Sequence, residues 1–185
     1  LRATIQDIDY QHSRNITQAQ VARLAQGEWI DRAQNLLITG PCGSGKTYLA
    51  CALGHNACLQ GYSVRYYRLS RLLLEMTQAK ADGSYQKLLV RLAKIQVVLI
   101  DDWGLEQLTT AHRNDLLEIM DDRHGSRSTV MISQLPTDEW YAAIGDNTLA
   151  DAILDRLMHN AHRLSLKGES MRKILGKLTD GEHLS

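Results

Sequence analysis

Apolar and polar positions along this chain change period several times, and each change marks an element. Asn35–Thr39 is a short apolar run, the pattern of a buried strand, and Thr47–Leu59 follows as a buried helix closing at Gly61. Tyr62–Arg68 alternates and reads as a second strand. Ser70–Ala79 and Ser84–Lys94 read as two helices broken at Asp82-Gly83. Each carries an apolar stripe, with Leu72, Leu73 and Met76 in one and Leu88, Leu89 and Leu92 in the other. Ile95–Ile100 has the apolar character of a central parallel strand. Thr110–His124 follows as a helix stopped by Gly125, then a strand at Thr129–Ser133, a helix from about Thr148 to Asn160, and a strand at His162–Leu166. Ahead of these, residues 1–33 are polar and mixed, with a helix at Thr17–Ala25 that Thr17 can cap. Strands alternating with helices predict an α/β fold, a parallel sheet covered by helices on both faces.

The length of 185 residues suits one generous domain with a substantial core. The expected division is a lead-in over 1–33, a core over 34–166 and a tail over 167–185. Basic and acidic residues number 21 each, so the whole molecule has no global attraction for nucleic acid or membrane, and such binding must come from a local patch. The apolar runs are far shorter than a bilayer span and no signal peptide opens the chain, so no membrane partner is expected. Cys42, Cys51 and Cys58 have neither an even count nor a zinc spacing, and the last two fall in the predicted buried helix. Reduced, structural thiols and a cytosolic location are the expectation. The chain starts at Leu1 in mid-pattern without an initiator methionine, as a piece of a longer protein would.

The most specific chemistry lies in Gly40-Pro41-Cys42-Gly43-Ser44-Gly45-Lys46-Thr47, entered from Leu36-Leu37-Ile38 and followed by Tyr48 at the head of a helix. Glycines let the backbone bend tightly and bring its N–H groups against phosphate oxygens, which a Cβ would hold off. Lys46 then reaches the β- and γ-phosphates, Thr47 offers its hydroxyl to Mg²⁺, and the helix points its positive dipole end at the anion. Val97–Asp102 adds an apolar strand delivering two carboxylates to the same edge of the sheet. Asp101 suits a Mg²⁺ ligand acting mostly through water, and Asp102 a group that orients or deprotonates the attacking water. At the end of the next strand Gln134, with Ser133 as second choice, can touch the γ-phosphate or position water. These parts predict ATP and Mg²⁺ as cofactors.

Asn35-Leu-Leu-Ile-Thr-Gly-Pro-Cys-Gly-Ser-Gly-Lys-Thr-Tyr-Leu-Ala50, Val98-Leu-Ile-Asp-Asp-Trp-Gly-Leu105, and Asp155-Arg-Leu through Leu166-Lys-Gly-Glu-Ser-Met-Arg172 together resemble the AAA+ ATPases of the helicase-loader group. Within it they are most similar to the IstB family, ATP-binding transposition helpers encoded beside the transposase in one class of bacterial insertion sequences. Leu166-Lys-Gly-Glu-Ser-Met-Arg172 favours IstB over its relative DnaC. The resemblance implies a P-loop NTPase of AAA+ (ASCE) type with a five-stranded core, ATP-dependent self-assembly on duplex DNA, and delivery of the transposase to target sites. It carries Lys46 over as the Walker lysine, Thr47 and Asp101 as Mg²⁺ ligands, and Arg156 as an arginine finger that serves the neighbouring subunit. Asp102 stands where many members have glutamate, which implies slow hydrolysis. Only about twenty residues follow the last strand, too few for a full C-terminal lid, though Arg172 can substitute for the lid's sensor arginine. Transposase contact is expected to need the small amino-terminal domain of the family, which this chain lacks.

In the initiator branch that the IstB family resembles, the extra helical material between the second strand and the carboxylate strand faces DNA in the assembly, and the resemblance implies the same here. Here Lys87, Arg91 and Lys94 form a basic stripe beside the leucine face, with Lys80 just before the turn, and phosphate contacts with little sequence preference are expected. His159 and His162 read as helix-end polar residues, and Trp29, Trp103 and Trp140 as packing anchors. Two rival readings remain. One is a DnaC-like helicase loader acting on single strands. The other is a metabolic P-loop kinase, with Lys87 and Arg91 as substrate clamps.

Overall fold

The computed structural model describes residues 2–10 and 15–167. Five strands form one parallel sheet: β1 Asn35–Thr39, β2 Val64–Arg68, β3 Val97–Asp101, β4 Ser128–Ser133 and β5 Ala161–Ser165. Their lateral order is β2-β3-β4-β1-β5. The three inner strands are buried along their whole length, whereas β2 and β5 at the edges carry exposed side chains such as Arg65, Arg68 and Arg163. Charged residues on open edges discourage pairing with foreign strands.

The period of two along each strand divides the core into two layers. Leu36, Ile38, Val97, Leu99, Val130 and Ile132 face one side, where they meet helices α1 (Gln18–Ala25), α2 (Glu28–Asp31) and α3 (Lys46–Leu59). Leu37, Val98, Ile100 and Met131 face the other, under α4 (Leu69–Asp82), α5 (Tyr85–Lys94), α6 (Thr110–Arg123), α7 (Trp140–Ile144) and α8 (Asn147–Met158). The apolar stripes of α4 and α5 are buried. At roughly 1.5–3 kcal/mol for each fully buried leucine, they hold the α4–α5 hairpin to the body. The predicted cap of α1 is present as a full capping box between Thr17 and Gln20.

Strands β2 and β3 start two residues later than their apolar patterns suggest. Ser63 and Gln96 clasp each other there, with Gln96 Oε1 accepting from the Ser63 N–H at 2.9 Å and Ser63 Oγ from the Gln96 N–H at 2.9 Å. Side chains thus take backbone bonds that a longer ladder would use. Helices α2 and α7 have no counterpart among the predicted elements, being too short for a period to show. Both are seated by tryptophans: Trp29 donates to the Leu24 carbonyl at 2.8 Å and Trp140 to the Leu135 carbonyl at 2.9 Å. Trp103 meets Trp140 edge-on at 5.8 Å, so all three tryptophans pack in the interior, as expected. One cysteine expectation needs correction, since Cys58 lies on the outer, exposed face of α3 and Cys51 is only half-buried.

Arg123 ends α6 as a buried clamp. Its guanidinium donates to the carbonyls of Leu92 at 2.7 Å, Ile95 at 2.6 Å and Ser128 at 2.6 Å, and to Thr129 Oγ1 at 3.0 Å. Burial and the neighbouring Arg127 lower its pKa to about 9, which leaves it charged at neutral pH. The clamp fixes the end of α5 and the starts of β3 and β4, and so the register of the strand that carries the two carboxylates.

Candidate functional site

The site forms where β1 ends and α3 begins. The Gly40 N–H donates to the Ser133 carbonyl at 3.2 Å and the Leu166 N–H to the Thr39 carbonyl at 2.7 Å, so the loop is rooted between the ends of β4 and β5. A Cβ on Gly40 would lie 2.7 Å from Ser44 Oγ and 3.0 Å from the Leu166 carbonyl oxygen, so this position must be glycine. Gly43 (φ +78°) and Gly45 (φ +90°) take the left-handed turns that bend the loop back. No side chain caps α3, which leaves its first-turn N–H groups for an anion. Lys46 is buried, with Nζ held over the loop on the Pro41 carbonyl at 3.2 Å. Pro41 and Cys42 lie exposed on the outside of the loop.

Val97, Leu99 and Asp101 share the α3 face of β3, and this brings Asp101 to Thr47. The Thr47 hydroxyl donates to Asp101 Oδ2 at 2.9 Å, and the Asp102 N–H to Asp101 Oδ1 at 2.8 Å. Asp101 is only 4% exposed. A buried carboxylate beside a hydroxyl is a hard-oxygen pair of the kind that suits Mg²⁺. Because Thr47 spends its proton on Asp101, its lone pairs are free to face a cation. The predicted pair, separated by 54 positions, is thus assembled.

Asp102 takes a left-handed backbone (φ +61°), uncommon without glycine and costing on the order of 1–3 kcal/mol. Its carboxylate is only half-buried and meets Arg68 Nε at 3.2 Å. Ser133 is fully buried; its hydroxyl donates to the Trp103 carbonyl and accepts the Leu135 N–H, so both its bonding roles shape the following loops. Gln134 is exposed at the carboxyl edge of the sheet.

Arg156 lies elsewhere. It pairs with Asp121 of α6 and donates to the Ala152 carbonyl at 3.0 Å. The carbonyls of Arg156 and Leu157 accept from Asn35 Nδ2 at the start of β1, whereas the phosphate loop leaves its end. A five-residue strand, roughly 16 Å long, separates the two edges, so Arg156 faces away from its own phosphate loop. Lys87, Arg91 and Lys94 share one open surface of α5 with Gln86 and Val90. Arg91 also meets Glu75 of α4 at 2.8 Å. Lys80 stands apart, its ammonium 2.6 Å from the buried Asp115 and over the ring of Tyr85. The tail expected to hold Arg172, and with it the question of a lid, lies outside the described residues.

Several residues enter the site only through the fold. Tyr66 of β2 donates its hydroxyl to Asp101 Oδ2 at 2.6 Å; partial burial and this bond push its pKa up, so it remains a donor. Arg68, two residues on, reaches Asp102. Beside the loop, Ile8, Ile16, Tyr48, Leu49 and Leu166 line a small apolar recess of about 10 Å³ against Gly45. The Thr4 N–H donates to the Tyr48 hydroxyl at 3.4 Å, tying the amino-terminal stretch to the site. Alternation marks Tyr66 and Arg68 as one face of a strand, but nothing local reveals what they face.

Comparison with known proteins agrees with this geometry. The model of the family described as IstB-like ATP binding protein matches residues 1–177. The insertion sequence ATP-binding protein y4pL of Sinorhizobium fredii (strain NBRC 101917 / NGR234) is 50% identical over 172 residues, 93% of this chain and 70% of that protein. The ATP-binding protein of insertion sequence IS1162 from Pseudomonas fluorescens is 51% identical over 135 residues, 73% of this chain and 58% of that protein. Among solved structures, DnaI superposes with a TM-score of 0.75 at 19% identity, covering 91% of this chain and 90% of that one. The DnaC helicase loader gives 0.73 at 19% identity, covering 89% and 97%. The replication initiator DnaA bound to AMPPCP and single-stranded DNA gives 0.72 at 15% identity, covering 96% and 54%. At these identities the structural likeness speaks for the fold, an AAA+ P-loop domain. Among the described residues no helix is long and apolar enough to cross a membrane. With a family match running from residue 1 to 177 over a phosphate loop of this geometry, the chain belongs to the IstB-like ATP-binding proteins.

Proposed function

We propose that this chain is the ATP-hydrolysing part of a bacterial, cytoplasmic transposition helper. It binds ATP with Mg²⁺, assembles with copies of itself on duplex target DNA, and recruits or activates the transposase. The observation that carries this reading is the Thr47–Asp101 hydrogen bond, which joins loop and strand into one triphosphate site. Lys46 and the first-turn N–H groups of α3 take the phosphate charge. Thr47 and Asp101 are the residues that would hold Mg²⁺, which when bound offsets charge on the β- and γ-phosphates. Asp102 orients or deprotonates the attacking water, and Gln134 positions it near the γ-phosphate. Arg156, on the far edge, serves the site of a neighbouring copy, so turnover is slow until subunits assemble.

Lys87, Arg91 and Lys94 then contact DNA phosphates from the outer face of α5, with Lys80 contributing less because its charge is already taken by Asp115. The insertion-sequence relatives and the initiator-like fold support this. The chain spans 58–70% of two such relatives, and transposase contact is assigned to parts of the helper beyond the span matched here. The test is electron microscopy and phosphate release with ATP, with duplex DNA, single strands or neither. The expected result is ATP-dependent assemblies on duplex DNA and turnover stimulated by it. Preference for single strands would point to a DnaC-like loader, and stimulation only by a small phosphate acceptor to a kinase.

A further inference from the structure

Tyr66 plays no part in the ATPase reading above, yet it touches the carboxylate at its centre. It lies opposite Leu99 in the sheet, on the α3 face, and its hydroxyl is 2.6 Å from Asp101 Oδ2. Thr47 donates to the same oxygen at 2.9 Å. A carboxylate oxygen offers two lone-pair places, so both places on Oδ2 are filled. A Mg²⁺ ion keeps several of its waters when bound. Oδ2 is the oxygen that Thr47 itself bonds, whereas Oδ1 takes the Asp102 N–H and keeps one place. A water on the Thr47 side that takes Oδ2 therefore displaces one of the two hydroxyls. Thr47 cannot yield, since its proton has to stay on Asp101 for its lone pairs to face the ion. Tyr66 can, because it is 41% exposed on an edge strand and its phenol can turn to bulk water with little loss.

We propose that the Tyr66 hydroxyl competes with the water shell of the incoming Mg²⁺ for Asp101 Oδ2, so that loading requires the phenol to withdraw. Tyr66 is then a positioning residue that raises the Mg²⁺ concentration at which the site grips a triphosphate. This rests on the nucleotide reading above, and the test separates the two.

Calorimetry with a non-hydrolysable ATP analogue, over a Mg²⁺ series and in EDTA, compares the wild-type chain with Tyr66→Phe, which keeps the ring and removes only the hydroxyl. The expected result is a Mg²⁺ midpoint lowered about three- to tenfold in the variant, within the net contribution of an ordinary intramolecular hydrogen bond, because the phenol regains a bond to water when it withdraws. Affinity in EDTA should be unchanged. A second readout follows the tyrosine ring signals by NMR, with Tyr66 assigned by its loss in the variant. In the wild-type chain its signal should shift at the Mg²⁺ midpoint of binding and ignore the analogue alone. An unchanged or raised midpoint, or a Tyr66 signal indifferent to Mg²⁺, overturns the inference while leaving the nucleotide site standing. Failure of the wild-type chain to bind the analogue at any Mg²⁺ concentration overturns the nucleotide reading itself, and this inference with it.

Discussion

Replacing Arg68 by alanine should raise, not lower, ATP turnover in the absence of DNA. Arg68 Nε lies 3.2 Å from the Asp102 carboxylate, the group assigned to the attacking water, and so holds it away from that task. The Arg68 side chain is 64% exposed and that of Asp102 33%, so the pair belongs with surface ion pairs contributing roughly 0.2–1 kcal/mol. If this energy alone holds Asp102 back, its release accelerates turnover by about 1.4- to fivefold and no more. The Asp102 backbone stays in place in the variant, because its left-handed turn is fixed independently. The Asp102 N–H bonds Asp101 Oδ1, and the Trp103 N–H bonds the Ile132 carbonyl at 3.0 Å. The assay is steady-state phosphate release at saturating ATP and Mg²⁺ over a salt series. An exposed pair is screened as the Debye length falls from about 10 Å at 0.1 M salt to about 3 Å at 1 M, so wild-type and variant rates should converge. A slower variant, a gain well beyond tenfold, or a gap that salt does not narrow would refute the reasoning.

Lys46→Ala should weaken triphosphate binding by roughly ten- to a hundredfold, the worth of a bond to a charged group, whereas Asp102→Asn should retain ATP and lose turnover. Equal loss of binding in both, by calorimetry, would falsify that division of roles. Arg156→Ala should leave nucleotide binding by single subunits nearly unchanged and lower assembly-dependent turnover. Mixing it with Lys46→Ala should restore some activity, and co-assembly without any recovery would contradict action on a neighbour. Lys87→Gln with Arg91→Gln should weaken duplex binding alike across unrelated sequences and flatten its salt dependence by roughly one ion for each lost contact. Neutral substitutions are chosen because reversing Arg91 would set a carboxylate against Glu75 and strain the α4–α5 hairpin. An unchanged salt slope in a variant that still binds nucleotide would move DNA to another surface.

Much of the site was legible from residues next to one another. A phosphate loop of the proposed kind works through consecutive backbone N–H groups and one lysine, so Gly40 through Thr47 could be read as such a loop before its partners in the fold were known. An apolar strand ending in Asp101-Asp102 is similarly local, and parallel strands bring their carboxyl ends to one edge, which joins the two motifs. The helix and strand pattern extended this to the fold, because burial on both faces leaves near-continuous apolar runs in β1, β3 and β4.

What lies beside those motifs was not legible. Lys80 reads as a free cation in a basic patch, but folding sets it on the buried Asp115 carboxylate, 35 positions away. Arg123 looks like an ordinary basic residue at a helix end and becomes a buried clamp on carbonyls at the end of α5 and the start of β4. Arg156 could be assigned a role by resemblance, but only the fold puts a strand's length between it and its own loop. Sequence by itself determined the elements, their two-sided burial and the phosphate chemistry, since these depend on period and on neighbours in the chain. Tertiary structure alone decided that Tyr66 meets Asp101, that Arg68 meets Asp102, and that Ile8 and Ile16 line a recess against the loop. The physical reason is that strand order and register are set by crossovers and packing. Arg68 pairs with Asp101 in the ladder, and a slip of one residue would turn both Tyr66 and Arg68 to the opposite face of the sheet.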